Sequence, residues 1–339
     1  MPIPQPCRMD KKTDNIRLAL IGCGGIAQTH LEAISKVPRI ELSLIYDPNV
    51  KASESASAKY HCRQAKTEEE TWADQTVQAV LICAPPKFHY SLMRKALESA
   101  KHVLCEKPFT ITVEEAEEIK RLSARKKKLV MMASKFRFVQ DVIEARKLVQ
   151  SGVIGDVVLS EVIFCSVVDM SARWNSDSEV AGGGVLIDNG SHAVDVIRYL
   201  VGPIKSVYAQ AGKKTQPLRV EDTARLHFET EGKIIGMVDL SWSLYKHTAN
   251  YVNIFGTLGT IEVGWQQSQV WDAKQKSSKI FGSGYKKLDA FVNQMEHFAD
   301  CIQGKTPPIL GVDDAIESVR VIDAAYTSIR EKKWLEVQR

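Results

Sequence analysis

The first candidate for chemistry is a lysine at the end of a strand-like run. The run HVLC (102–105) is followed by Glu106, Lys107 and Pro108. A lysine at the end of a buried strand loses part of its hydration, and a partly desolvated lysine is suited to proton transfer. The proline fixes the backbone where the chain leaves the sheet. From these residues alone, the segment is either a structural corner or a place where Lys107 is held for catalysis.

A second candidate is an acid–imidazole pair in the segment DNGSH (188–192). Asp188 and His192 are four residues apart, so on a helix both side chains lie on one face. An imidazole suits a general acid or base because its unperturbed pKa is close to neutral pH. By spacing alone, such a pair is more often a surface pair than a catalytic one.

A glycine-rich turn predicts a dinucleotide site. Residues 22–27, GCGGIA, match G-x-G-x-x-A directly after the apolar run IRLALI (16–21). The first glycine permits a tight turn, the second lets the backbone approach a pyrophosphate, and the final small residue allows close helix–strand packing. The residues expected to hold the cofactor here are Gly22, Gly24, Gly25, Ile26 and Ala27.

Asp47 predicts which dinucleotide is bound. It ends a second strand-like run, 20 residues beyond Ala27, where a carboxylate can hold the adenosine ribose hydroxyls. A carboxylate at this point repels a 2′-phosphate, so we predict NAD in preference to NADP. Lys51 stands against this prediction, because it could reach a phosphate.

The elements that must position these residues change in pattern near residue 134. Up to that point apolar runs alternate with helical patterns, which is typical of a doubly wound parallel sheet of the Rossmann type. The strands are predicted at 16–21, 40–46, 77–83, 102–105 and 129–133. The remainder has a helix at 141–151, a long strand at 157–168 and a helix at 185–200, followed by strand-rich sequence from 204 to 280 and two final helices. This second pattern predicts an α+β domain with a largely antiparallel sheet.

Composition limits the class of protein. A chain of 339 residues exceeds what one hydrophobic core usually holds, so two domains are expected. With 45 basic and 41 acidic residues, the charge is too even to suggest nucleic-acid binding. No apolar run approaches the ~20 residues of a membrane helix, and the first residues carry no signal core, so we expect a flexible tail at 1–14 and a cytoplasmic protein. The seven cysteines lack any CxxC pair, which favours free thiols, and no metal site is predicted.

Four segments carry a resemblance to a known family. They are IGCGGIA (21–27); APPKFH (84–89) followed by AKHVLCEKP (100–108); FRF (136–138) leading to SGVIGDV (151–157); and GGGVLIDNGSH (182–192). In order and spacing they resemble the glucose–fructose oxidoreductase, inositol dehydrogenase and rhizopine-catabolism (Gfo/Idh/MocA) family, from Ile16 to about Ile329. The resemblance implies a Rossmann domain at 15–135 and a C-terminal substrate-binding and oligomerisation domain with an open-faced sheet at 136–335.

The resemblance also implies roles for the candidate residues. The family's EKP lysine contacts the nicotinamide ribose and the reacting hydroxyl, and here it corresponds to Lys107. The matching aspartate and histidine line the substrate pocket, so His192 is the expected general acid/base and Asp188 a substrate-binding or proton-relay carboxylate. Further cofactor-binding residues implied are Ala84, Pro85, His89, Glu106 and Lys107. Glu106 is expected to support the corner rather than to react.

Substrate contacts are less clearly indicated. Pro86 stands where the family often has asparagine, which puts one polar cofactor contact in doubt. Lys135 also stands where asparagine is common in the family. Three basic residues could favour a negatively charged substrate group, and Trp174 could either stack on a sugar ring or be packed. The candidate substrate-binding residues are Lys135, Arg137, Arg173, Trp174 and Asp188. Asp195 and His30 are expected to be structural.

The sequence therefore predicts an NAD-dependent oxidoreductase. Such an enzyme moves hydride between a secondary hydroxyl, or ketone, of a sugar, cyclitol or sugar derivative and nicotinamide. Two alternatives remain: an NAD-dependent glycoside hydrolase of the same fold, and a non-catalytic NAD-binding regulator. Family members commonly pair through the open sheet, so a homodimer or homotetramer is expected.

Overall fold

The first half of the chain forms a parallel sheet with helices between its strands. The structure, a computed structural model, describes residues 15–338, so the expected tail at 1–14 lies outside the described part. The sheet has the strand order β3–β2–β1–β4–β5–β6, and neighbouring strands are parallel. The strands are β1 Ile16–Ile21, β2 Ile40–Tyr46, β3 Arg63–Gln64, β4 Ala79–Ile82, β5 His102–Glu106 and β6 Val130–Ala133. The prediction of a doubly wound sheet is confirmed.

Local capping fixes where several connecting helices begin. The side chain of Asn49 accepts a hydrogen bond from the Ala52 N–H at the start of α2, and Thr112 and Glu115 form a capping box at the start of α5. The helices are α1 Gly25–Ile34, α2 Val50–Tyr60, α3 Glu68–Ala73, α4 His89–Glu98 and α5 Val113–Lys126. The sequence did not predict β3 or α3, because Arg63–Gln64 is a two-residue polar edge without an apolar run.

The strand order defines a crevice at the carboxyl ends of the strands. From the central β1 the chain first builds the β2–β3 side of the sheet and then crosses to the β4–β6 side. Ligands of open α/β sheets bind at such a switch point. The glycine turn follows β1, Lys107 follows β5 and Lys135 follows β6, so all three lie at this edge.

The second half of the chain forms a mixed sheet of mainly antiparallel strands. Its order is β14–β13–β12–β11–β7–β10–β9–β8–β15, and the β7–β10 pair is parallel. The strands are β7 Val157–Cys165, β8 Ile204–Ala211, β9 Thr223–Thr230, β10 Ile235–Ser241, β11 Asn250–Gly256, β12 Gly259–Gly264, β13 Ser268–Asp272, β14 Ser277–Gly282 and β15 Leu335–Glu336. The predicted largely antiparallel sheet is confirmed, although β7 ends at Cys165 rather than at residue 168.

Helices of the second half pack on one face of this sheet. In β9, Leu226 and Phe228 are fully buried, whereas Arg225 is exposed and His227 is half-buried on the opposite face. This alternation follows from the two-residue period of a strand and leaves the second face open. The helices are α6 Gln140–Gln150, α7 Ser178–Ala181, α8 Val185–Val201, α9 Lys287–Ile302 and α10 Val312–Glu331.

The last helices return to the first half of the chain. Gly311 forms a backbone bridge with Met131 in β6, and Leu310, Ile316 and Val319 belong to the hydrophobic core beneath the parallel sheet. Helix α10 also packs against α5, and α9 against α1. A boundary at residue 135 therefore separates the two sheets in the sequence, but residues after this boundary also pack into the hydrophobic core of the first sheet.

The described residues carry no helix long and apolar enough to cross a membrane. Their six cysteines are free thiols. They also hold no group of three or more His, Cys, Asp or Glu side chains placed to bind a metal ion.

Candidate active site

The glycine turn after β1 has the geometry of a phosphate-binding loop. Gly22 has φ +92°, and a Cβ there would lie 2.7 Å from the carbonyl carbon of Cys83, so only glycine fits. A Cβ on Gly24 or Gly25 would have no heavy atom within 4 Å, so the space in front of the turn is open. Helix α1 begins at Gly25, and its first N–H groups face this space. Ala27 is fully buried behind the turn, as close packing of α1 on the sheet requires.

Asp47 lies beside this turn. One carboxylate oxygen accepts a hydrogen bond of 2.6 Å from the Cys23 N–H, and the other accepts one of 2.7 Å from the Asn49 N–H. The carboxylate is thus fixed at the carboxyl end of β2, where its remaining lone pairs can accept from ribose hydroxyls. The open space at the turn and this fixed carboxylate fit a dinucleotide.

A cavity of about 810 Å³ extends from the glycine turn to the second sheet. From the first half it is lined by Gly24, Gly25, Ile26, Ala84, Glu106, Lys107 and Lys135, among others. From the second half it is lined by Arg173, Trp174, Asp188, Asn189 and His192, and by an aromatic wall of Phe164, Trp265, Tyr285 and Phe291. Most of the predicted site residues therefore meet in one cavity, as a site between the two halves requires.

Lys107 and Asp188 join the two sides of the cavity. The Lys107 ammonium forms an ion pair with the Asp188 carboxylate and donates a 3.1 Å hydrogen bond to the Asp188 carbonyl oxygen. The side chains keep 14% and 21% of their surface exposed, so both remain accessible to a ligand. Lys107 therefore points towards the cavity. The Lys107–Pro108 peptide bond is cis.

His192 lies one helical turn after Asp188, with 7% of its surface exposed. Its Nδ1 atom is buried with no hydrogen-bond partner among the described residues, which leaves Nε2 for a molecule in the cavity. The ring packs edge-on against Phe136 at 5.2 Å between centroids. Burial, with the positive charges of Lys107 and Lys135, holds the pKa of His192 well below its usual range. The imidazole is therefore neutral at neutral pH, so one of its two ring nitrogens carries no proton.

Glu106 is held by a histidine for which the sequence indicated only packing. The buried His30 Nε2 lies 2.7 Å from a Glu106 carboxylate oxygen, and the other Glu106 oxygen accepts a 3.1 Å hydrogen bond from the Lys107 N–H. Burial alone would raise the pKa of Glu106, but His30 and the charges of Lys107 and Lys135 bring it below its usual value. Glu106 is thus an ionised carboxylate under the site, and His30 is the residue that fixes it.

His89 links two loops rather than lining the cavity. Its ring nitrogens lie 2.8 Å from the carbonyl oxygens of Ala84 and Pro108. These carbonyls belong to the turn after β4 and the turn that carries Lys107, so His89 fixes one relative to the other. Pro85, like His89, is not among the residues that line the cavity.

Lys135 is the second lysine in the cavity. Its ammonium lies 5.3 Å from the centroid of the Phe136 ring and 5.9 Å from that of Tyr285. Burial, followed by the charge of Lys107, lowers the pKa of Lys135 to about 8. No hydrogen bond or ion pair joins its side chain to another described residue.

Arg137 does not reach the cavity. Its guanidinium forms an ion pair of 2.6 Å with Asp195, contacts Asp314 at 3.1 Å and donates to the Ile309 carbonyl oxygen at 2.6 Å. The Arg137 and Asp195 side chains are 4% and 0% exposed. A role for Arg137 in substrate binding, which the sequence suggested, therefore lacks geometric support, and Asp195 has the structural surroundings expected for it.

Two glycines before α8 are required by close contacts. A Cβ on Gly183 would lie 2.0 Å from the Tyr326 hydroxyl, and one on Gly184 would lie 2.0 Å from the Glu221 carbonyl oxygen. These glycines are needed for close packing inside the second half, not for the cavity.

The aromatic wall was not predicted from the sequence. Tyr251 packs between Phe164 and Trp265, with ring centroids 5.9 Å and 4.6 Å away, and Trp265 meets Tyr285 at 5.7 Å. These four residues come from four separate segments, and in the sequence each looks like an ordinary strand or turn residue. No local spacing signals that they meet.

Comparisons with known proteins agree with this arrangement. Residues 16–134 match the model described as oxidoreductase family, NAD-binding Rossmann fold, and residues 142–262 match the GFO/IDH/MocA C-terminal domain. The rhizopine catabolism protein MocA of Rhizobium meliloti is 26% identical, over 91% of this chain and 93% of that protein. The scyllo-inositol 2-dehydrogenase (NAD(+)) of Bacillus subtilis is 26% identical, over 93% of this chain and 94% of that protein.

A solved structure shares the fold over nearly the full length. Levoglucosan dehydrogenase, in complex with NADH and levoglucosan, superposes with a TM-score of 0.89 at 20% identity, covering 96% of this chain and 100% of that one. The two family models together span most of the described residues, and their order is that of the two sheets. The chain is therefore a member of the Gfo/Idh/MocA family of oxidoreductases, with an NAD-binding Rossmann domain followed by the family's C-terminal domain.

Proposed function

We propose that the chain catalyses NAD-dependent oxidation of a secondary hydroxyl of a sugar, cyclitol or sugar derivative, or the reverse reduction of the ketone. The observation that carries this proposal is the meeting of Lys107 with Asp188 and His192 in a cavity that begins at the glycine turn. A cation, a carboxylate and a neutral imidazole at the nicotinamide end of a dinucleotide site supply what alcohol oxidation needs: a group to polarise the hydroxyl and a group to take its proton.

Each polar group has a separate task in this mechanism. The Lys107 ammonium, oriented by Asp188, donates a hydrogen bond to the substrate oxygen and stabilises the alkoxide character that develops on it. His192 Nε2 accepts the hydroxyl proton, because its Nδ1 is enclosed and its ring is neutral. Asp188 also lies in the cavity, where it can accept from a neighbouring hydroxyl of the substrate.

The cofactor would be held by the first half of the chain. The N–H groups at Gly24 and Gly25 would bind the pyrophosphate, and Asp47 would bind the adenosine ribose. When bound, NAD supplies the hydride acceptor. Glu106 and His89 act at a distance from the reacting atoms by fixing the turn that carries Lys107.

A polyhydroxylated ring suits the remaining cavity wall. The wall opposite Lys107 combines the aromatic rings of Phe164, Trp265 and Tyr285 with the polar side chain of Asn189. Apolar faces of a ring pack on such aromatics while its hydroxyls meet the few polar groups. The relatives named for scyllo-inositol and levoglucosan support this class of substrate.

The decisive experiment measures NADH formation over a panel of cyclitols, aldoses, sugar acids, sugar phosphates and glycosides. We expect net NADH from at least one free sugar or polyol, with His192→Ala slower by about 10²–10⁴-fold in kcat, the usual contribution of a positioned acid or base. Glycoside cleavage without net NADH would refute the proposal in favour of a hydrolase. NAD binding without turnover over the whole panel would refute it in favour of a regulator.

We also propose that the protein assembles through the open face of the second sheet. Large apolar side chains on that face remain exposed: Ile235 53%, Trp271 42%, Ile280 60% and Trp334 52%. Light scattering at micromolar concentration should give a dimer or tetramer, and Ile235→Glu should weaken it by placing a charge in the interface. A monomeric wild type would contradict the proposal.

The free thiols suit the cytoplasm, where we place the protein.

A further inference from the structure

Lys135 stands at the substrate end of the cavity. It is the second residue after β6, at the start of a short 3-10 helix over Lys135–Phe138. Strand β6 is three positions from β1 in the sheet, and strands lie about 4.8 Å apart, so roughly 14 Å separates its end from the glycine turn. Lys107, directly after β5, lies between the two. Lys135 is therefore beyond the group that meets the reacting atoms, on the side away from the pyrophosphate.

Among the residues that the structure describes, no carboxylate is hydrogen-bonded or ion-paired with Lys135, although the neighbouring charged groups are paired. In the cavity Lys107 is paired with Asp188, and Glu106 is held by His30. Lys135 has only the faces of Phe136 and Tyr285 within cation–π range. Desolvated ammonium groups in proteins are normally paired, because burial of an unpaired charge is costly. An anion entering from the cavity would provide such a partner.

The charges that face Lys135 agree with this interpretation. Lys107 and the more distant Lys287 disfavour its protonated form, while Glu106 and Asp188 favour it, and burial with Lys107 leaves its pKa at about 8. A bound anion would relieve this repulsion. The exposed Arg173, from the loop before α7, adds a second positive group to the cavity rim.

We propose that Lys135 binds an anionic group, a carboxylate or a phosphate, on the sugar or polyol substrate. The inference rests on the proposed function and narrows its substrate class to sugar acids or sugar phosphates. The ring hydroxyl that reacts lies at Lys107 and His192, and the anionic substituent extends towards Lys135. The aromatic rings beside the ammonium exclude water and strengthen the ion pair.

The test uses three ligands that differ only at C6: D-glucose, D-glucuronate and D-glucose 6-phosphate. Their dissociation constants are measured by calorimetry on the enzyme–NADH complex at pH 7, where no turnover occurs. We expect the wild type to bind at least one charged ligand about 10- to 100-fold more tightly than glucose, the range of a hydrogen bond between charged groups. The better of the two charged ligands identifies carboxylate or phosphate as the recognised group.

Variants separate direct contact from general charge. Lys135→Met should reduce the charged-to-neutral affinity ratio to about one, and Lys135→Arg should retain part of it because the charge is kept. Lys287→Met is the matched control: it removes one positive charge near Lys135, but the residue is exposed and does not line the cavity. The ratio in Lys287→Met should equal that of the wild type.

The wild-type ratio should also depend on conditions. It should fall as the pH rises through about 8, where Lys135 loses its charge, and fall more weakly with added salt because the group is partly buried.

The inference is overturned if the charged ligands bind no better than glucose, or if Lys135→Met leaves the ratio unchanged. This result is separable from the proposed function. NADH formation from neutral polyols would uphold that function while Lys135 fails, and absence of NADH formation over the whole panel would refute it whatever calorimetry shows.

Discussion

Two ion pairs connect the ends of the parallel strands with helix α8, and they differ in their surroundings. Lys107, after β5, meets Asp188, and Arg137, after β6, meets Asp195 seven residues further along the same helix. The first pair is 14% and 21% exposed and borders the cavity. The second is 4% and 0% exposed, and its guanidinium has two further partners.

The difference shows that residue type and helix position do not separate a catalytic pair from a structural one. A guanidinium with several fixed acceptors, enclosed by packing, is held away from a ligand. A single ammonium with one carboxylate partner and an open side can exchange that partner for a substrate. Accessibility and the number of partners support the proposed chemical role of Lys107, whereas Arg137 fixes the segment after β6 to α8 and α10.

The largest expected effect is the loss of turnover in Lys107→Ala. With a substrate from the panel, kcat should fall by about 10²–10⁴-fold, while NAD binding and the melting temperature change little, because the side chain is partly exposed. Lys107→Arg should not restore the full rate, since a guanidinium holds its proton and has a different shape. If Lys107→Ala folds, binds NAD and turns over near the wild-type rate, the Lys107–Asp188 pair has only a structural role and the proposed mechanism is wrong.

Arg137→Met should give the opposite result. Removing one partner of a buried pair leaves Asp195 enclosed without its cation, so unfolding should become easier by about 3–5 kcal/mol. Urea denaturation measures the loss, and kcat of the folded fraction should stay near the wild-type value. The double variant Arg137→Met with Asp195→Asn removes the stranded charge and should recover part of the stability. A stable single variant with low kcat would contradict the division between the two pairs.

The contrast also marks what the sequence could predict. The glycine turn, Asp47 and Lys107 each depend on a strand end and its next few residues, so local pattern was sufficient to place them. That Asp188 and His192 share one face of α8 followed from their four-residue spacing, whereas a chemical role for them was implied only by the family resemblance. Because Lys135 and Arg137 are two residues apart, the sequence suggested the same substrate-binding role for both. In the structure Lys135 lines the cavity, whereas Arg137 is buried in an ion pair with Asp195.

What the sequence missed depends on contacts between distant segments. His30 meets Glu106 across 76 positions, and the partners of Arg137 include Asp314 across 177. The aromatic wall likewise brings Phe164 of β7 together with Trp265, which follows β12, and Tyr285, which follows β14. A helical or strand period identifies which face of an element is apolar, but it does not identify the opposing side chain.

The smallest expected effect is on the pH dependence of kcat/KM. It depends on His192, which lies between Asp188 and Asp195 on α8. His192 must be neutral to accept a proton, and burial with Lys107 and Lys135 lowers its pKa well below the usual range. An ordinary imidazole has a pKa of about 6.5, so at a pH of about 6.5 half of it would be protonated and kcat/KM would be half of its plateau value. We therefore expect kcat/KM for a neutral substrate to be flat between about pH 6.5 and 7.5, with an acid limb only at lower pH.

Lys135→Met should move that limb towards neutral pH, because it removes one of the two cations that disfavour the imidazolium. The double variant of Arg137 and Asp195 should leave the limb in place, since that pair is not among the groups that lower the pKa of His192. Rates of initial NADH formation across a pH series, at saturating NAD, measure both. A wild-type limb at pH 6.5, or one that Lys135→Met fails to move, would mean that another group takes the proton and that His192 only shapes the cavity.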